Sequence, residues 1–111
     1  MNEEYLKELL KKWQPRLGLS DWKINIKFLD YLDINHNIAQ VQKNVDLQTA
    51  EIRILNPKDR QASNLNHQNI EQDLVHELVH LRFWFLKNPE NDTENTLQEQ
   101  AVEWISRALV N

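Results

Sequence analysis

The chain has 111 residues, of which 41% are hydrophobic, so it can form one compact domain with its own core. It contains no cysteine, which excludes cysteine-ligated zinc, thiol catalysis and disulfide bonds together. The net charge of -4 gives no basic surface of the kind that nucleic acid requires.

Targeting signals are absent from the sequence. Residues 1–4 lack the positive and apolar regions of a secretory signal peptide. No run approaches the roughly 18 consecutive apolar residues of a membrane-spanning helix. A single glycine and three prolines give no sign of linkers or low-complexity segments. We therefore expect one cytoplasmic domain over residues 1–111, with no membrane or nucleic-acid partner, and the oligomeric state stays open.

The first half of the chain predicts one helix followed by three strands. Apolar residues at helical spacing predict a helix over 3–13, which Pro15 and Gly18 should end. Alternating apolar and polar residues then predict strands over about 22–28, 38–43 and 49–55. Because the strands are consecutive and joined by short polar turns, we predict a three-stranded antiparallel sheet.

The second half predicts two helices. Asn69 is the expected N-cap of a helix with apolar residues at helical spacing over 70–86. Asn88-Pro89 should end this helix, and a loop follows over 90–95. A last helix is predicted over 96–110, where apolar residues again recur at helical spacing. Helices that follow a sheet in this way favour an α+β fold.

The motif H-E-x-x-H, from His76 to His80, lies inside the first of these two helices. Residues four apart share a helix face, so the two imidazoles project side by side and can bind one metal ion. Glu77 flanks them, where a base acting on a metal-bound water is needed. The helix is otherwise apolar nearly all round, which is typical of a buried helix whose few polar atoms need partners. The motif therefore favours a zinc site over two ordinary half-exposed histidines.

A third ligand must come from elsewhere, because a catalytic zinc site takes three protein ligands and a water. No third histidine follows the motif, since Phe83 and Leu86 occupy the glycine and histidine positions of the extended motif. The remaining candidates are Glu99 and Glu103, four residues apart on one face of the last helix. A helical hairpin would bring one of them to the zinc, and spacing alone does not separate them. Glu99 could instead form a capping box with Thr96.

These residues and their order resemble a family of small enzymes. The sequence resembles HExxH zinc metallopeptidases of phages and prophages in Gram-positive bacteria, and more distantly the minimal zincins of the ImmA/IrrE and SprT-like groups. The resemblance covers nearly the whole chain, and the residues that carry it are Asp21-Trp22-Lys23-Ile24, Ala50-Glu51-Ile52-Arg53-Ile54, His76-Glu77-Leu78-Val79-His80-Leu81 and Glu99-Gln100-Ala101-Val102-Glu103. Only the HExxH motif is specific to such enzymes.

The resemblance implies a zincin-like minimal domain. Such a domain has an N-terminal helix, a three-stranded antiparallel sheet, the HExxH helix and a C-terminal helix that supplies a ligand. In the phage group the last helix usually starts with adjacent acidic residues. Here Gln98 stands in the first of these positions and Glu99 in the second, so the resemblance implies Glu99 as the third ligand. The metal ligands implied are His76, His80 and Glu99.

The function predicted is that of a zinc-dependent metallopeptidase, a hydrolase that cleaves peptide bonds in a peptide or protein substrate. Glu77 would take a proton from zinc-bound water as general base and deliver it to the leaving amine. An exposed edge of the strand at 49–55 could pair with an extended peptide. Candidates for an oxyanion stabiliser are weak, and each of them also suits a surface position: Tyr31, His36 and His67.

The alternative function is a zinc-stabilised, non-catalytic protein-binding module of a phage or prophage. A chain of 111 residues has little room for a deep specificity cleft, which favours such a module. Glu77 favours the enzyme, because a purely structural zinc site has no use for a base beside its metal. The sequence does not identify the substrate.

Overall fold

The structure of the protein, a computed structural model, describes residues 3–30, 38–56, 70–86 and 88–110. Within these ranges the chain forms a small α+β domain with three helices and a three-stranded sheet. None of the helices in the described ranges is long and apolar enough to cross a membrane. In chain order the elements are α1 (Glu3–Arg16), β1 (Lys23–Leu29), β2 (Ala39–Asn44), β3 (Thr49–Leu55), α2 (Ile70–Arg82) and α3 (Asp92–Val110).

Helix α1 ends in a left-handed turn at the single glycine of the chain. Gly18 has a φ of 70°, a conformation that glycine adopts without steric cost. The Leu19 N–H donates to the Gln14 carbonyl at 2.9 Å, and the Gly18 N–H donates to the Pro15 carbonyl at 3.1 Å. These are the two hydrogen bonds of a Schellman motif. The Gln14 side chain also donates to the carbonyls of Leu19 and Trp22, which fixes how the chain enters β1.

The sheet is mixed, so the predicted three-stranded antiparallel arrangement is wrong. Strand β3 lies in the centre, parallel to β1 and antiparallel to β2. The turn over 45–48 joins β2 and β3 as a hairpin, whereas the nine residues between Leu29 and Ala39 suffice to carry β2 to the far side of β3. Strand β3, in the centre, is the most buried of the three. Its buried residues are Ala50, Ile52, Ile54 and Leu55.

One face of the sheet packs against the helices. The register aligns Ile26, Ile52 and Val41 in one row across the three strands. Because side chains alternate along a strand, Lys43 lies on the same face as Val41, beside Ala50 of β3. A lysine therefore occupies the end of an otherwise apolar face.

Helix α2 is the central helix, as predicted. It contacts β2, β3 and both other helices. Leu74, Val75, Leu78 and Leu81 have no exposed surface, so the helix is apolar on most of its circumference. It ends at Arg82, earlier than predicted, and a turn follows over 83–86.

Helix α3 begins at Asp92, four residues before its predicted start. The side-chain oxygen of Asn91 accepts a hydrogen bond from the Glu94 N–H at 2.8 Å, and the Glu94 carboxylate accepts one from the Glu90 N–H at 2.7 Å. Asn91 is thus the N-cap, and Thr96 lies inside the helix. The alternative in which Thr96 and Glu99 form a capping box is therefore wrong. The expected N-cap of α2, Asn69, lies outside the described residues.

Candidate metal centre

Three side chains from α2 and α3 converge where the two helices pack together. One carboxylate oxygen of Glu99 lies 3.3 Å from Nε2 of His76, and the other lies 3.1 Å from Nε2 of His80. The two imidazole rings lie edge to face, with centroids 4.9 Å apart. One possible ligand atom of each residue lies within 4.8 Å of those of the other two. The structure therefore brings together the three residues predicted as metal ligands, and the group could hold a metal ion.

The donor types, two imidazoles and a carboxylate, are ones that a zinc ion can bind. In a tetrahedral site with bonds of about 2.0–2.2 Å to His nitrogen and carboxylate oxygen, ligand atoms lie about 3.3 Å apart. The Glu99 oxygens lie 3.1 and 3.3 Å from the two Nε2 atoms. A hydrogen bond between a protonated imidazole and a carboxylate has a similar length, so the donor set carries more weight than the distances. Two His and one Glu are the protein ligands of thermolysin-type catalytic zinc sites.

Electrostatics keep His80 in the form that binds metals. Burial lowers the pKa of His80 below 6.5, and the negative charge of Glu99 opposes this effect without reversing it. The positive charge of Lys43 acts in the same direction as burial. Because a metal binds the neutral imidazole, a lowered pKa leaves the nitrogen lone pair available at neutral pH.

Glu103, the competing candidate ligand, contacts the other nitrogen of His76. Its Oε2 lies 3.3 Å from Nδ1 of His76. Its Oε1 accepts hydrogen bonds from Gln72 Nε2 at 2.9 Å and from Arg107 Nε at 3.0 Å. With a metal ion at Nε2, the proton of His76 would lie on Nδ1, and the Glu103 carboxylate would accept a hydrogen bond from it. The two carboxylates therefore differ in their contacts: Glu99 lies next to Nε2 of both histidines, and Glu103 lies next to Nδ1 of His76.

Glu77 is a buried carboxyl group, with 7% of the residue exposed. Burial, together with the smaller effects of the negative charges of Glu99 and Asp73, raises its pKa to about 8. Asp73 is itself buried one turn earlier on α2. A carboxyl group whose pKa lies close to neutral can both accept and donate a proton near pH 7. Its environment therefore suits the predicted role in proton transfer.

A cleft of about 540 Å³ opens beside these side chains. Glu77, His80 and Glu99 all line it, together with residues from β2, from the turn after α2 and from α3. Its volume falls within the roughly 300–1,000 Å³ of small-molecule sites. The chain thus has more room for a ligand than its length of 111 residues suggests.

The strand that borders this cleft is β2, and the predicted exposed edge of the strand at 49–55 is wrong. Strand β3 is paired on both sides and has no free edge. Strand β2 is paired only with β3, and no other strand lies along its second edge within residues 3–30, 38–56, 70–86 and 88–110. Because the consecutive residues Ala39, Gln40 and Val41 all line the cleft, the strand borders it with its edge as well as with one face.

Lys43 is a residue of the site that the sequence analysis missed. It lines the cleft, and it forms no ion pair within the part of the chain that the structure describes. The alternation of Ala39, Val41 and Lys43 is the signal that could have found it, because it places a cation on the helix-facing side of a strand. The three residues predicted as candidate oxyanion stabilisers lie outside the described residues: Tyr31, His36 and His67.

Comparison of the chain with protein-family models, with curated proteins and with solved structures finds no match. The resemblance to phage-type zinc metallopeptidases therefore stays a prediction. The described α+β domain is compatible with that resemblance in the order of its elements, although its sheet is mixed.

Proposed function

We propose that the protein is a zinc-dependent metallopeptidase. The observation that carries this proposal is the convergence of His76, His80 and Glu99 beside the buried carboxyl group of Glu77. A structural zinc site closes all four positions with protein ligands, whereas a catalytic site leaves one open. The cleft reaches His80 and Glu99, which supports an open position.

In this mechanism His76, His80 and Glu99 would hold Zn²⁺. When bound, Zn²⁺ supplies Lewis-acid activation of water and of the scissile carbonyl, and its charge favours the ionised form of Glu77. Glu77 then accepts a proton from the attacking water and delivers it to the nitrogen of the leaving amine. Glu103 holds the ring of His76 in place through Nδ1.

Strand β2 and Lys43 would bind the peptide. Strand β2 borders the cleft and has no second strand beside it within the described residues, so an extended peptide would lie along it as an added strand. Lys43 lies on the helix-facing side of the same strand and lines the cleft with His80. A cation in this position would stabilise negative charge that develops on the carbonyl oxygen.

The test separates metal binding from hydrolysis in a single substitution. Glu77→Gln keeps the shape of the side chain and removes the base, so it should retain zinc and the fold. Hydrolysis of a mixture of quenched fluorescent peptides should fall by at least about 100-fold, the low end for loss of a general base. Glu8→Gln, an exposed position on α1, is the control and should leave hydrolysis unchanged. Equal hydrolysis by Glu77→Gln and the parent would refute the mechanism.

A protein-binding module is the second candidate, and one observation favours it. Leu97 and Trp104 expose 59% and 69% of their surfaces on α3, and large exposed apolar side chains are typical of interaction surfaces. If the protein is such a module, it should bind one zinc per chain and hydrolyse no peptide of the mixture. Glu77→Gln should then leave its binding to a partner protein unchanged, whereas it should abolish the activity of an enzyme.

A further inference from the structure

The cleft beside the candidate metal centre has an apolar wall. Besides the polar groups described above, its lining includes Val41 of β2, Phe83 and Leu86 of the turn after α2, and Val102 and Ile105 of α3. These side chains come from three separate parts of the fold and meet around one cavity. The cleft therefore combines a few polar groups with an apolar surface, which is the usual composition of a ligand site.

Two residues of this wall are exposed to solvent. Leu86 exposes 51% of its surface and Ile105 exposes 38%. Single exposed apolar residues are common on convex surfaces, but here both line the same concave cleft. An apolar group that enters the cleft would remove this surface from water, which is favourable.

We propose that the apolar wall binds a bulky apolar side chain of the substrate, such as that of Phe or Leu, next to the bond that is cleaved. This inference rests on the proposed function, because it assigns a peptide to the cleft. A charged side chain would lose its hydration against Val41, Leu86 and Ile105 without gaining a partner from them. Peptides with an apolar residue at this position are therefore the substrate class.

Binding of two hydroxamic acids to the zinc-loaded protein tests the wall without any turnover. Acetohydroxamic acid carries the metal-binding group alone, and 3-phenylpropanohydroxamic acid adds a benzyl group. Titration calorimetry should show that the phenyl compound binds about 10-fold tighter or more, as expected for burial of an aromatic side chain. Equal affinities would overturn the proposal.

Matched substitutions on α3 and on the turn locate the effect. Ile105→Asn should reduce the preference for the phenyl compound to about 3-fold or less, since it places an amide in the wall. Leu109→Asn is the control, because Leu109 is 40% exposed on the same helix and does not line the cleft. Leu86→Asn and its control Leu47→Asn form a second pair, in case Ile105→Asn impairs folding, since Leu47 is 70% exposed on another turn and does not line the cleft. If each variant and its control behave alike, the wall does not bind the benzyl group.

The experiment also distinguishes failure of the apolar wall from failure of the metallopeptidase proposal. If neither hydroxamic acid binds, the metal centre is not accessible, and the wall is then tested in the metal-free protein. N-acetylphenylalanine amide should shift the methyl resonances of Leu86 and Ile105 in NMR spectra, whereas N-acetylglycine amide should not. Those shifts would support the wall although the metallopeptidase proposal fails, and their absence would overturn both.

Discussion

The two helices that form the candidate metal centre differ in how firmly the fold holds them. Helix α2 buries eight of its 13 residues, whereas α3 buries only Val102 and Ser106 of its 19. His76, Glu77 and His80 therefore lie on a helix packed on most sides, and Glu99 lies on a helix packed along one narrow stripe. Local stability follows the number of buried contacts, so the position of Glu99 is the less constrained half of the site.

The two helices should therefore contribute differently to metal binding. His76 and His80 lie on one well-packed helix, so their relative geometry does not depend on whether α3 is docked. The third ligand reaches the pair only when α3 packs against α2, so metal binding and the docking of α3 should stabilise each other. Substitutions on α2 should accordingly have larger effects than substitutions of similar chemistry on α3.

The largest effect is expected from His80→Ala. The variant should lose the single zinc per chain that the parent binds, because one of the two ligands on the rigid helix is removed. Plasma emission spectrometry after dialysis measures the metal content. His36→Ala and His67→Ala, which change the other histidines outside the motif, should keep full zinc occupancy. Zinc retained in His80→Ala would show that the metal binds elsewhere.

Leu78→Ala should destabilise the metal-free protein by about 2–5 kcal/mol, the usual range for a fully buried leucine. Leu78 has no exposed surface at the centre of α2. Leu109→Ala on α3 is the matched control, since Leu109 is 40% exposed and its loss should cost less than about 1 kcal/mol. Urea unfolding followed by circular dichroism gives both values. Similar costs at the two positions would mean that α3 contributes as much to the core as α2.

The sequence was most informative where local patterns decide structure. The central position of α2 follows from apolar residues on most sides of one helix, and strand β1 follows from strict alternation. The antiparallel sheet was predicted wrongly, because alternation identifies strands but does not decide which of them lies in the centre. The buried strand β3 takes that place, and its neighbours then follow.

The candidate site was predictable to the extent that its residues lie in one motif. His76, Glu77 and His80 are fixed relative to one another by helix geometry alone. Glu99 and Glu103 share a face of α3, and only the packing of α3 on α2 decides which nitrogen each carboxylate meets. Lys43 was missed because its position beside His80 depends on the packing of a strand against a helix.

Glu99→Ala and Glu103→Ala sharpen the difference between a ligand and a supporting residue. Glu99→Ala should weaken zinc binding by about 10- to 100-fold or more, since even the loss of an outer hydrogen bond has an effect of this size. Glu103→Ala should have the smaller effect, about 10-fold, because it contacts Nδ1 of His76 and not the ligand atoms. Competition with a chelator at one fixed pH is required, because ligand protonation changes the affinity. Zinc retained in Glu99→Ala and lost in Glu103→Ala would reverse the two roles.

Glu77 should also make the stability of the metal-free protein depend on pH. Burial, assisted by the charges of Glu99 and Asp73, raises the pKa of Glu77 from 4.5 to about 8 in the folded protein without metal. Between these two pH values the folded protein holds a proton that the unfolded chain has released. Stability must then fall as the pH rises through this range, because the unfolded state binds fewer protons.

Glu77→Gln removes this proton equilibrium and should be the more stable protein at pH 7.5, by about 3–4 kcal/mol, without metal. Well below pH 4.5 the carboxyl group is protonated in both states, and the difference should vanish. His80, whose pKa is lowered, has the opposite pH dependence, but it is present in both proteins and cancels in the comparison. Urea unfolding of both metal-free proteins between pH 5 and 8 gives the difference directly. A constant difference across this range would mean that Glu77 is already ionised in the folded protein, and its burial on the rigid helix would then not be what prepares it to exchange a proton.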